Sequence, residues 1–170
     1  MKRAEYQSEI SEIAEEIRYY VGESGINKYL YREYGYALRG KKVYGSVQGK
    51  KFERLNMVAA KCGDDIIGRH EYTCNMNSQL FELWFTEVLL KLIPAGSVII
   101  LDNASWHRRK VLTALAEAAG CRIIFLPPYS PDFNPIEQVW AILKIFIKNY
   151  IRNFSSLSFA PNHFFLMSWL

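Results

Sequence analysis

Cysteine is scarce in this chain and unpaired: Cys62, Cys74 and Cys121 are odd in number and form no C-x-x-C. Neither a disulfide framework nor a zinc cluster is suggested, and a reduced, cytoplasmic setting follows. No run reaches the roughly 18 apolar residues of a membrane span, and the opening MKRAEYQSEISEIAEEI lacks an apolar signal core, so no membrane partner is expected. His70, His107 and His163 stand singly without an H-x-x-x-H pair, which argues against a zinc hydrolase. G-x-S-x-G is absent, and no cysteine lies in a nucleophile context. The segment GYALRGKK, Gly35 to Lys42, approaches a phosphate-binding loop, but Lys42 stands where the magnesium-binding hydroxyl is required. No internal repeat is visible.

What is present fits one α/β domain. The 170 residues are half apolar and rich in aromatics, enough for a sizeable core. Net charge is only +4, yet residues 1–27 carry three cations against six anions, whereas residues 28–54 carry eight against two. A localised basic segment is the footprint of a polyanion binder, and equally the composition of a solvated loop. Lys41, Lys42, Lys50 and Lys51 are its candidate phosphate contacts, which would position DNA without reading its sequence.

Along the chain, Tyr6, Ile10, Ile13 and Ile17 follow helical spacing, giving an amphipathic helix and a linker-like segment over 1–16. IRYYV predicts a first strand ending at Gly22. A long loop with a short strand near Val43–Val47 comes next. Leu55–Cys62 and Ile66–Thr73 flank Gly63, Asp64 and Asp65 as a β-hairpin. Phe81, Trp84, Phe85, Val88, Leu89 and Leu92 recur at helical spacing behind a capping Asn77. SVIILD is a strand of the mid-sheet type, ending at Asp102. Ser105–Ala119 reads as a helix with Arg108, Arg109 and Lys110 in its first turn, where cations oppose the macrodipole and an anionic partner would relieve the conflict. CRIIFL is a further strand, and Ile136 to about Tyr150 a final helix. The tail, 151–170, has scattered aromatics and no sustained period. Strands before the first core helix and alternation after it predict a mixed sheet flanked by helices.

Two acids stand out. Asp102 closes an apolar strand, and Glu137 follows the proline-rich stretch LPPYSPDFNP into the first turn of a helix. Carboxylates delivered from separate elements suit magnesium, and in two-metal phosphoryl transfer the ions sit about 3.5–4 Å apart. Each acid also has a structural reading: Asn134 to Glu137 is an N-x-x-E capping pattern, and Asp102–Asn103 can form a turn.

The phrases LDNASWH and LPPYSPDFNPIEQVW, with 34 residues between the acids, resemble the second and third catalytic blocks of DDE transposases, nearest to the bacterial insertion-sequence branch of the mariner superfamily. The resemblance spans about Tyr19 to Tyr150. It implies an RNase H-like catalytic domain over 17–150 that cuts and joins DNA with two divalent ions, Mg2+ or Mn2+. Asp102 and Glu137 would be catalytic metal ligands. His107 and Arg108 would lie near the scissile or flanking phosphate. DNA ends and target would be partners, with a homo-oligomer or pairing with an intact transposase, in a bacterial cytoplasm at the nucleoid.

The family's first strand ends in an acid within D-E-[ST]-G. Here the phrase is Gly22, Glu23, Ser24, Gly25, so the first acid is missing at Gly22. Alternation along a strand predicts that Glu23 faces away from the site. The expectation is a degenerate transposase domain, with an inactive DNA-binding or transposase-pairing remnant as the alternative. Helix-turn-helix modules would have to come from another chain or be lost.

Overall fold

The computed structural model describes residues 2–27, 38–42, 54–151, 154 and 156–167. Helix α1 (Arg3–Ser11) leads to strand β1 (Arg18–Asn27), and β2 (Arg54–Cys62) and β3 (Asp65–Tyr72) form the expected hairpin. Helix α2 (Ser78–Trp84) passes through a π-helical turn (Phe85–Leu89) into α3 (Leu90–Leu92). The chain then runs through β4 (Val98–Leu101), α4 (Arg109–Ala118), β5 (Arg122–Phe125), α5 (Ile136–Tyr150) and α6 (Phe159–Met167). The five strands form one sheet in the order β3-β2-β1-β4-β5. Strands β1 to β3 pair antiparallel, whereas β4 lies parallel to both β1 and β5. This is the mixed, helix-flanked sheet that the sequence predicts.

Alternation along the strands separates two faces. Tyr19, Val21, Ile99 and Leu101 pack with Phe81, Trp84, Phe85, Leu89 and Leu112 of the helices on one side. On the other, Ile26, Met57 and Ala59 meet Ile136, Trp140 and Leu143 of α5. Val98, Ile100 and Ile124 on that same face are covered by Tyr6 of α1. The first segment is therefore docked: Tyr6 is buried and its ring stacks 5.2 Å from that of Phe133.

Four local expectations change. Strand β1 does not stop at Gly22 but continues to Asn27, because the GESG segment pairs with β2, Gly22 opposite Ala59 and Gly25 opposite Asn56. Neither glycine has the positive φ that a turn would use. Helix α4 starts at Arg109 rather than Ser105, since Trp106 and His107 are drawn toward β1 and Asp102. The spacing that joined Ile13 and Ile17 to the first helix fails, because α1 ends at Ser11. The tail, without apparent period, does contain α6, which buries Ala160 against the α5 cluster beside Leu157. The strand expected near Val43–Val47 lies outside the described residues.

Candidate functional site

Parallel pairing of β1 with β4 stops at Tyr20 and Ile100. Beyond that point β1 continues beside β2 but without β4, and a crevice opens at the carboxyl ends of the strands, where open α/β sheets place their ligands. Gly22 to Gly25, Asp102, Trp106, His107 and Glu137 border this cleft of about 440 Å³.

Asp102 is the residue after β4. One carboxylate oxygen accepts from the Ala104 backbone N–H at 3.0 Å and faces His107 Nδ1 at 3.1 Å. Burial works to raise its pKa, but the imidazole and the Ala104 N–H outweigh burial and hold the carboxyl below its ordinary value. Glu137 lies in the first turn of α5. Burial raises its pKa, the charge of Asp102 adds to the rise, and Lys144 opposes it.

The stretch before Glu137 is pinned to the sheet. Leu126 N–H donates to Leu101 at 2.8 Å, and Asn134 Nδ2 donates to the Val21 carbonyl at 2.9 Å. Asn134 thus makes no side-chain cap on α5, contrary to the capping reading of N-x-x-E; Pro135 holds the cap position. Its amide is spent on β1 because the carbonyl there lies buried and needs a donor. Asn134→Ala should therefore cost about 1–3 kcal/mol. An unchanged midpoint in urea unfolding would show that the pin contributes nothing.

Glu23 departs from its expected position. It does lie on the sheet face opposite Gly22, as alternation requires, yet at this point β1 has outrun β4 and the cleft receives both faces. Its carboxylate accepts from Trp106 Nε1 and from the Tyr72 hydroxyl, each at 3.1 Å. Its oxygen lies 3.7 Å from His107 Nε2. His107 is accordingly not a surface residue: its side chain is only 4% exposed, held between two carboxylates with Phe81 packed on it at the edge of the cleft. Burial pushes the imidazole pKa down, but Asp102 and Glu23 prevail and set it at about 9.

Gly22 is the position that the resemblance assigns to the first acid. A β-carbon there would press into Ile136 Cγ2, approach Trp140 Nε1 to 3.1 Å and lie 3.4 Å from a Glu137 oxygen. The Trp140 N–H is buried and finds no acceptor among the described residues. Among those residues, no three His, Cys, Asp or Glu side chains come together as a metal-binding group. The donor set on the described residues falls short of a two-ion centre: Asp102 is engaged by His107, and β-branched Ile136 lies where a side chain on residue 22 would have to go.

The remaining candidates divide. Arg108 is ion-paired to Glu82, and Arg109 lies over the Phe125 ring at 4.0 Å, so two of the three cations that opposed the α4 dipole are satisfied within the fold. Lys41 and Lys42 are exposed, and Lys50 and Lys51 lie outside the described residues. The sequence reading missed Arg54, Tyr72 and Trp106 as cleft residues. Only Trp106, four residues after Asp102, carried a local signal.

Residues 18–158 match the family model for the DDE superfamily endonuclease. Over 59 residues, 35% of this chain and 39% of the relative, the sequence is 42% identical to the uncharacterized protein y4pE/y4sA of Sinorhizobium fredii (strain NBRC 101917 / NGR234). Among solved structures, the fold is similar to that of a pre-cleavage Mos1 transpososome, with a TM-score of 0.68 at 14% identity over 98% of this chain and 52% of that one. The Mos1 mariner paired end complex with Mn matches with a TM-score of 0.67 at 14% identity, over 98% and 52% of the two chains. The chain spans about half the length of these Mos1 chains and less of the curated relative. Its sheet is the RNase H-like sheet of those transposases, and the chain belongs to the DDE superfamily endonuclease family.

Proposed function

We propose that this chain is the DDE domain of an insertion-sequence transposase, of the bacterial branch of the mariner superfamily, that keeps the DNA-facing cleft but not a complete cutting centre. It acts as a DNA-binding or transposase-pairing module descended from an enzyme of metal-dependent cleavage and strand transfer. The observation that carries this reading is position 22. A glycine replaces the acid of the family pattern, and Ile136 fills the space its side chain would need. Asp102 and Glu137 would be the surviving ligands for Mg2+ or Mn2+, which in the complete site would activate the attacking group and stabilise the leaving oxygen. Here Asp102 is instead neutralised from within by His107. DNA would be held through its phosphates, with the exposed Lys41 and Lys42 and the cleft residue Arg54 as contacts.

The test is a duplex-nicking assay with Mg2+ or Mn2+, run beside DNA binding over a range of salt. The expected result is no nicking and an affinity that falls as salt rises, the mark of phosphate contacts. Robust nicking abolished by Glu137→Gln would contradict the incomplete centre. DNA affinity that is absent or independent of salt would contradict the nucleic-acid reading.

A further inference from the structure

The tip of the proline loop is explained neither by packing nor by the acids. Tyr129 is fully exposed, at 100% relative accessibility. It is also the one non-glycine residue among those described with positive φ, 54°. A bulky side chain there costs of order 1–2 kcal/mol. Among the described residues the ring has no hydrogen bond and no ring contact in return. Backbone strain left uncompensated by the fold is a reason to look for a ligand.

The loop presents this ring rigidly. Pro127 and Pro128 fix the backbone before it and Pro131 after it. Asn103 Nδ2 donates to the Leu126 carbonyl at 2.6 Å, Arg3 donates to Ser130 Oγ at 2.9 Å, and Arg3 is also paired with Asp132. Asn134 closes the far end against β1. A tyrosine on such a mount has only its side-chain torsions to lose on binding, so contact is cheap in entropy.

Its position gives the ligand. Tyr129 lines a second cavity, of about 550 Å³, whose walls also include Trp106, Asp102 and Glu137. We propose that Tyr129 is a stacking platform for an unpaired DNA base at the edge of the acid cleft. The proposal rests on the DNA-binding reading above and adds to it the form of DNA that is held. Within a duplex each base face is covered by its neighbour, so an aromatic ring of this kind can take only a base that is single-stranded or extruded. Stacking tolerates any base, because every base has a π-face. The hydroxyl is not needed for it.

The experiment uses two DNA probes in metal-free buffer. One is a dumbbell whose two ends are closed by hexaethylene glycol linkers, so that it holds no unpaired base; the other is the same duplex with a single-stranded overhang carrying 2-aminopurine. Affinity is read by anisotropy and stacking by quenching of 2-aminopurine. The variants are Tyr129→Phe, which keeps the ring, and Tyr129→Asn, which removes it while tolerating positive φ. Loss of one base stack should weaken overhang binding of Tyr129→Asn by roughly 5- to 150-fold and abolish the quenching. Tyr129→Phe should match the wild type on both probes, and Tyr129→Asn should match it on the dumbbell. If Tyr129→Asn binds and quenches the overhang as the wild type does, the stacking role is overturned while DNA binding stands. Equal loss on both probes would make the residue a general contact and overturn it as well. A wild type that binds neither probe would overturn both readings.

Discussion

Gly22→Asp is expected to destabilise the domain and, unlike the wild type, to be rescued by a divalent ion. The new β-carbon meets Ile136 Cγ2, and Ile136 is fully buried and stiff at its branched carbon. Overpacking of this kind costs about 1–3 kcal/mol, which for a chain of this size lowers the melting temperature by roughly 2–12 °C. The added carboxylate also comes to lie beside Glu137, whose pKa is already raised by burial and by Asp102. A bound cation removes that repulsion. At a hundredfold excess over its dissociation constant it stabilises the folded state by about 2.7 kcal/mol. Melting with and without Mn2+ checks this: the variant should recover several degrees and the wild type almost none. Equal Mn2+ shifts in both would show that the substitution adds no ligand. Gly22→Asp with no loss of stability would show that Ile136 yields more readily than its packing implies.

The second large effect is a loss of stability on the alkaline side that traces to one imidazole. His107 is raised from 6.5 to about 9 in the folded state by Asp102 and Glu23, which overcome the burial that opposes them. A group raised on folding stabilises fully below its unfolded pKa, and that stabilisation is lost as pH rises through the folded value. In metal-free buffer the wild type should therefore weaken between about pH 6.5 and 9, by up to about 3 kcal/mol. Burial also raises the thiols of Cys62 and Cys121, and they too destabilise the fold as the unfolded chain ionises near and above pH 8.5. The comparison with His107→Gln, which leaves the thiols in place, isolates the imidazole. Urea unfolding of both proteins across this range should give a falling curve for the wild type and a flatter one for the variant. Parallel curves would mean that His107 is not held as a cation.

These two effects meet at one point. The imidazolium supplies, from within the chain, positive charge between two carboxylates at the site where the family's pattern leads one to expect a metal. Trp106 and Tyr72 take up the rest of the Glu23 carboxylate. The carboxylates of the cleft are thus balanced by groups of the chain itself, as the proposed incomplete centre requires.

Both acids were legible in the sequence because each stands at a junction written locally: an apolar run into Asp102, and prolines into the helix that carries Glu137. The hairpin was equally legible, since Gly63 follows one apolar run and precedes the next, and its φ is indeed positive. The length of β1 was not, because Gly22 and Gly25 read as turn residues until β2 supplies their pairing partners, Ala59 and Asn56, 37 and 31 residues further along. Glu23 illustrates a finer limit. The alternation rule assigned its face correctly, but a face becomes part of the cleft only where a neighbouring strand ends, and that depends on β4. His107 was placed beside Asp102 by spacing alone. Its burial depends on Phe81, which arrives from a helix 26 residues earlier. Asn134 looked like a helix cap for the same reason, its true acceptor being the carbonyl of Val21, 113 residues away.

On the proposed reading, this DDE domain cannot assemble a two-ion centre. Direct titration of the wild-type chain with Mn2+, followed by electron paramagnetic resonance of the free ion and by calorimetry, tests it without reference to activity. Weak, non-saturating binding that Glu137→Gln scarcely changes is the predicted result. Saturable binding of two ions per chain, lost on substitution of Asp102 or Glu137, would contradict it.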